Sequence, residues 1–275
     1  MPGRKHSRTR PQTAIMLFSL LYTFNFACKD IKNNRKVKRN NSNNEDVIRM
    51  FFKHNGNFGR RILKRLLEID GIIISEKRIS RIMKEQDLVS KYGRKKCKNV
   101  YTDKNINKKY IHDNLYAGLS ADDKLKNIWS MDFTEQKING KRIYTCGIIS
   151  VNGKNIVGYK QSFKCTSKLA VETLKRAIEE HGVPYMIMTD RGSQFTSRDF
   201  FDIMEKYKIL HSMSRPYSPI DNRFIETFWK TLKIEIGKTT LLTPETYAMV
   251  IDYYIHYYNY ERPHSTLGYK PPCMA

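Results

Sequence analysis

Residues 128–163 read IWSMDFTEQKINGKRIYTCGIISVNGKNIVGYKQSF, and the fold turns on them. Over Ile128–Thr134, Trp129, Met131 and Phe133 alternate with Ser130 and Asp132, the two-residue period of a strand. Asn139-Gly140 leads into Arg142–Ser150, and Asn152-Gly153 leads into Ile156–Phe163. Asn-Gly accepts the positive φ of a tight hairpin turn, so three consecutive antiparallel strands are predicted.

Working outward toward the C-terminus, a helix is predicted from Ser167, with Ala170, Leu174, Ala177 and Ile178 on one stripe, ending near Gly182. Val183–Thr189 is a nearly continuous apolar run, as a buried central strand would be. A helix over 197–207 buries Phe200, Ile203, Met204 and Tyr207, and a strand follows at Ile209–Met213. After a loop through Pro216 and Pro219, one helix spans about Asp221–Glu235 before Gly237 and another runs from Pro244 to about Tyr258. The order β-β-β-α-β-α-β-α describes a mixed sheet with helices packed against it. Tyr253, Tyr254, Tyr257 and Tyr258 read as packing residues of the last helix.

Toward the N-terminus, residues 29–46 are rich in Lys, Arg and Asn, with almost nothing to bury, and read as a flexible basic linker. From about Phe51 to Ser90 the pattern is helical: Ile62, Leu63, Leu66 and Leu67, then Gly71, then a helix that Ser75 can cap, carrying Ile79, Ile82 and Met83. Lys77, Arg78, Arg81 and Lys84 edge that second helix, so the pair reads as a helix-turn-helix facing DNA, or more blandly as a helical hairpin with solvated cations. The basic stretch 91–98 reads as a linker that grips phosphates.

Charge supports a polyanionic partner. Fifty Lys+Arg against 27 Asp+Glu give a net +23, and residues 1–100 hold 25 basic against 8 acidic residues. Such a surplus points to nucleic acid or an anionic membrane. The five cysteines are odd in number and contain no C-x-x-C pair, so neither a zinc site nor a disulfide framework is indicated. Arg4, Lys5, Arg8 and Arg10 precede an apolar run from Ala14 to Cys28 broken by Ser19, Thr23 and Asn25, the layout of a secretory signal. That run falls short of the ~20 residues a membrane helix needs, and everything downstream reads as cytosolic, so no membrane role is expected.

Three of the 27 acids stand out by context. Asp132 is placed near the end of the first strand, Asp190 where the fourth strand gives way to Arg191-Gly192, and Glu226 one turn into a helix that Asp221 can cap. Glu226, Lys230 and Lys233, at i, i+4 and i+7, share one stripe. Three carboxylates from separate elements can hold two Mg²⁺ ions, because that cation takes hard oxygen ligands.

The motifs around these acids carry a family resemblance. WSMDFT (129–134), TDRGSQFT (189–196) and SRPYSPIDNRFIE (214–226) resemble the three carboxylate motifs of DDE transposases and retroviral integrases, and 35 residues separate Asp190 from Glu226 as in that class. HYYNYERPHSTLGY (256–269), with FGRR and RIMKEQDL in 54–90, is similar to the second-frame (orfB) transposases of the IS-three family of bacterial insertion sequences. The resemblance covers about residues 54–272.

It implies an RNase H-like α/β fold, a mixed five-stranded sheet with flanking helices behind a small all-α helix-turn-helix-like module. The expected division is a basic leader (1–50), that module (51–98), a linker (99–122), the catalytic core (123–240) and a C-terminal helix and tail (241–275). It further implies Mg²⁺-dependent cleavage and joining of DNA at terminal inverted repeats, with two ions on Asp132, Asp190 and Glu226 and Mn²⁺ as a substitute. Implied partners are the element's ends, target DNA, an upstream-frame subunit and further copies of the chain, in the bacterial cytoplasm. Arg191, Gln194, Asn222, Lys230 and Lys233 are expected to grip DNA near the metals, and Arg262 and His264 match family positions. His264 reads equally well as a packing histidine. Residues 1–45 do not resemble the family, which keeps open an inactive DNA-binding remnant. A host nuclease of the same fold is the third reading.

Overall fold

The computed structural model describes residues 42–92, 110–215, 218–237, 239 and 242–275. The signal-like leader, most of the 29–46 segment and residues 93–98 of the basic stretch lie outside them.

The described residues form two compact units. The first is three helices: α1 (Ser42–Lys53), α2 (Arg60–Ile69) and α3 (Glu76–Glu85). Helix thus begins inside the expected linker, because Val47, Met50 and Phe51 put an apolar face on α1. Those three pack with Phe58, Leu63, Leu67, Ile74, Ile79 and Ile82 in one small core. Ser75 caps α3 as expected, its Oγ accepting the Arg78 N–H at 3.3 Å.

The second unit holds a five-stranded sheet in the order β3-β2-β1-β4-β5: β1 (Ile128–Ile138), β2 (Lys141–Ser150), β3 (Ile156–Ser162), β4 (Met186–Thr189) and β5 (Leu210–Met213). β1, β2 and β3 are antiparallel, whereas β4 runs parallel to β1 and β5 parallel to β4. This is the mixed sheet that was expected. At the first hairpin Asn139 and Gly140 take φ of 44° and 79°.

Strand alternation assigns the two faces. Met131, Cys146, Ile148 and Val157 bury against α4 (Ser167–His181) and α5 (Arg198–Tyr207). On the opposite face lies α6 (Arg223–Ile236), so close that a Cβ on Gly147 would come 2.6 Å from Trp229 Cη2. Helix α7 (Pro244–Tyr260) follows, with Asn259 bonding both the N–H and the carbonyl of Ile156 on β3. Tyr253, Tyr254, Tyr257 and Tyr258 are all at least partly buried, which favours packing.

Residues 110–122, expected to be linker, lie along the sheet: Met213 N–H bonds Asp113 O at 3.2 Å and Tyr116 N–H bonds Ser212 Oγ at 3.1 Å. Among the described residues no helix is long and apolar enough to cross a membrane.

Candidate active site

Register brings two of the acids together. β1 and β4 pair Ile128 with Met186, Trp129 with Ile187 and Ser130 with Met188. The same offset continues to set Asp132 level with Asp190. β4 ends at Thr189, so Asp190 stands just off its carboxyl end, where Gly192 N–H donates to Oδ1 at 2.9 Å. β1 runs on to Ile138, paired with β2 alone. Asp132 is therefore mid-strand, a correction to the sequence expectation, and it sits where the parallel half of the sheet stops and space opens beside it.

Asp132 pairs with Gly147, so its side chain is on the α6 face. That helix brings Glu226. Burial pushes the Asp132 carboxyl well above the usual range, the Asp190 charge adds to it, the Phe133 N–H opposes, Glu226 raises it further and Lys233 lowers it. Burial also raises Asp190, against the pull of the Gly192 N–H; one side of that carboxylate opens to solvent while protein atoms surround the rest. Glu226 is raised by burial and by Asp190. The three acids therefore feel one another. Even so, among the described residues no three His, Cys, Asp or Glu side chains are gathered into a ready metal cage.

The neighbouring cations divide. Burial lowers Lys233, with Asp132 and Glu135 pulling it back up, so it belongs to the acidic cluster. Lys230 is exposed on the same helix. Arg191 Nε donates to Ser214 O at 2.9 Å, bracing the loop behind Asp190. Gln194 is turned to Cys165, its Nε2 lying 3.1 Å from Sγ.

Three expectations are corrected here. Asn222 is 2% exposed, with both ends of its amide bonded inside the protein, so it has no surface to offer DNA. Arg262 is locked in a bidentate pair with buried Glu235, at 2.8 and 3.0 Å, and is spent on packing the tail. Asp221 does not cap α6; Arg215 clasps it with two guanidinium bonds at 3.0 Å and holds its carboxyl far below the usual range. Of the two readings of His264, packing fits better: Nδ1 lies 2.9 Å from Thr266 Oγ1 and the ring sits edge-on to Tyr258.

On α3, Lys77, Arg81 and Lys84 are exposed at i, i+4 and i+7, whereas Arg78 is half-buried and bonded to Asn44 Oδ1 at 3.1 Å. Sequence reasoning missed Ser130, Gly147 and Trp229. A strand glycine opposite a strand aspartate was the available signal, since such a glycine often marks close approach of another element. It also missed His211, buried behind Asp190, with Nε2 at 2.9 Å from Thr189 Oγ1 and a pKa pushed down to about 3 by burial and by His112.

Similarity to known proteins follows the same division. An HTH-like domain family matches residues 38–96, and two integrase core domain families match 123–219 and 207–272. The transposase for insertion sequence element IS904 of Lactococcus lactis is 30% identical over 232 residues, 83% of this chain and 90% of that protein. The 31 kDa protein of insertion element IS600 from Shigella sonnei is 30% identical over 78% of this chain and 79% of its own length. The InsF transposase of insertion sequence IS3A from Escherichia coli is 25% identical over 82% of this chain and 79% of its own. Among solved structures, a simian T-cell lymphotropic virus intasome aligns with a TM-score of 0.46 at 19% identity, covering 83% of this chain and 73% of that one.

Proposed function

This chain belongs to the insertion-sequence transposases of the IS-three type, and we propose that its sheet unit cuts the ends of such an element and joins them to target DNA. The observation that carries this reading is the register that sets Asp132 level with Asp190 on the sheet face covered by α6, the helix of Glu226, with the carboxyls of all three raised together.

The donor set fits a hard divalent cation. All three side chains are carboxylates, and their mutual repulsion is what such a cation would relieve. Cys146 and Cys165 lie close by, but burial raises both thiols, which keeps them protonated and poor ligands. Two Mg²⁺ ions held there, or Mn²⁺ in their place, would activate an attacking oxygen and stabilise the leaving one at phosphorus. Asp132 offers its carboxylate from mid-strand, Asp190 from the loop just past β4, and Glu226 from the helix above. Lys230 and Lys233 bring positive charge to the same side for the scissile strand, and Arg191 steadies the loop that carries Asp190. The exposed stripe of α3 grips phosphates of the terminal repeat. An upstream-frame subunit and further copies of the chain complete the assembly, in the bacterial cytoplasm.

A strand-transfer assay on short duplexes carrying the flanking inverted repeats, with and without Mg²⁺, tests this. Asp190→Asn abolishes joining and leaves the gel shift intact. Equal loss of both would make Asp190 structural, and a wild-type chain that binds the repeats without cutting them would be an inactive remnant.

A further inference from the structure

The Glu226 side chain has electrostatic ties to Asp190 and Asp132 but no hydrogen bond or ion pair among the described residues, so its place is set by the helix that carries it. What fixes that helix therefore fixes the third carboxylate. Resting on the reading of Asp132, Asp190 and Glu226 given above, we propose that α6 is clamped to the sheet at two points flanking Glu226. Ser130, Asn222, Gly147 and Trp229 are then the positioning residues of the site.

Asn222 stands at the N-cap position of α6, and Glu226 and Trp229 follow three residues apart on the helix, so the two anchors bracket Glu226. The first point is polar. Ser130 Oγ donates to Asn222 Oδ1 at 2.6 Å, and Asn222 Nδ2 donates to Met131 O at 3.3 Å, on the two β1 residues just ahead of Asp132. Ser130 and Asn222 are 0% and 2% exposed, so losing either partner leaves a buried polar group unsatisfied.

The second point is steric. Gly147 is the β2 residue opposite Asp132, and a Cβ there would stand 2.6 Å and 2.7 Å from Trp229 Cη2 and Cζ2. Trp229 is 5% exposed and its indole N–H is buried with no hydrogen-bond partner among the described residues, so the ring is placed by packing on the bare backbone of the strand. Restoring ordinary contact past an alanine would lift the helix by about 1 Å, and a misplacement of that size can cost about 10²-fold in rate. One anchor grips β1 just before Asp132 and the other seats on β2 beside it, with Glu226 between them. Neither anchor touches the reacting atoms.

The test compares wild type, Gly147→Ala, Gly147→Ala/Trp229→Phe and Ser130→Ala in the full chain. Each is measured for Tm, for Mn²⁺ affinity by calorimetry without DNA, for repeat binding by gel shift and for repeat cleavage. Gly147→Ala is expected to bind Mn²⁺ about 10- to 100-fold more weakly and to cleave correspondingly slowly, with DNA affinity unchanged. Trp229→Phe removes the atoms that the new methyl strikes, so the double variant should recover most of both losses. Unchanged Mn²⁺ affinity in Gly147→Ala would overturn the clamp, as would a folded double variant that recovers nothing. If Gly147→Ala does not fold, Ser130→Ala decides: weaker Mn²⁺ binding at a near-native Tm supports the clamp, and native binding overturns it. A wild-type chain that neither binds Mn²⁺ nor cleaves would instead sink the reading of the three carboxylates, which separates the two failures.

Discussion

Helices α3 and α6 carry charged stripes of identical spacing and opposite meaning. Lys77, Arg81 and Lys84 on α3 and Glu226, Lys230 and Lys233 on α6 both fall at i, i+4 and i+7. The α3 stripe is fully exposed, on the far side of a helix that buries Ile79 and Ile82. The α6 stripe is exposed too, but Glu226 faces Asp190 and Lys233 faces Asp132 and Glu135, while Lys230 stands in solvent. Spacing says which side chains share a face; it does not say what that face looks at. On α3 the charges are solvated, screened by salt and individually worth little. On α6, Glu226 and Lys233 act at close range on acids that protein atoms partly surround, where a charge counts for more.

The sharpest way to break this contrast is catalytic. Glu226→Gln keeps the size and polarity of the side chain but removes the charge, and should lower strand transfer by about 10³-fold or more, the several kcal/mol a metal clamp supplies. Lys84→Ala on the other stripe should leave the rate at saturating DNA unchanged. Comparable rate losses in single-turnover cleavage would erase the distinction.

How much of this was legible follows the same line. The first hairpin was readable because Asn139-Gly140 and the alternation of Trp129, Met131 and Phe133 are local signals, whereas at the second the positive φ falls on Lys154 and not on Asn152-Gly153. The three acids were singled out by the motifs around them, but the place of Asp132 was not legible: the sequence suggests a strand end, and β1 runs on to Ile138. Asn222 and Arg262 were misassigned because a polar residue in a family motif can serve the fold as easily as the ligand. Only the third dimension shows Asn222 bonded to Ser130 across 92 positions, and Arg262 to Glu235 across 27. Gly147 could not be weighted without knowing that Trp229 would land on it. The start of α1 was missed because the polar run around it outweighed Val47, Met50 and Phe51.

A second prediction sharpens the contrast through stability. Arg262 and Glu235 are 12% and 1% exposed in their side chains. Arg262→Ala strands a buried carboxylate and should cost about 3–5 kcal/mol in urea unfolding, whereas replacing both partners with apolar residues should cost far less. If Arg262→Ala left stability intact and weakened DNA binding, the residue would belong with the α3 cations after all.

A smaller effect appears with pH. Thr189 Oγ1 gives its proton to Asp190 O at 2.8 Å, so it must accept from His211 Nε2, which fixes that tautomer of the neutral ring. Around the ring stand His112, Thr189 and Phe200. The folded pKa of about 3 lies below the unfolded value, so the stabilisation is complete at neutral pH and is lost as pH falls. Unfolding free energy should drop by roughly 2 kcal/mol between neutral pH and pH 5 from this group. His211→Gln, whose Nε2 can still donate to Thr189, should flatten that slope. An unchanged slope would assign the acid sensitivity elsewhere.

The gentlest test falls on α3 itself. If Lys77, Arg81 and Lys84 meet phosphates, each alanine replacement should weaken binding to every duplex alike and reduce the slope of log affinity against log salt by about 1. Arg78 is the internal control, because its guanidinium is held by Asn44 Oδ1 at 3.1 Å. Arg78→Ala should leave the salt slope alone and take a little from the stability of the three-helix unit. The signature is the slope, since a damaged fold lowers affinity without changing how many counterions binding releases. A triple variant with native Tm and native slope would show that the exposed stripe is solvated surface, and the +17 net charge of residues 1–100 would then have to meet DNA through other side chains.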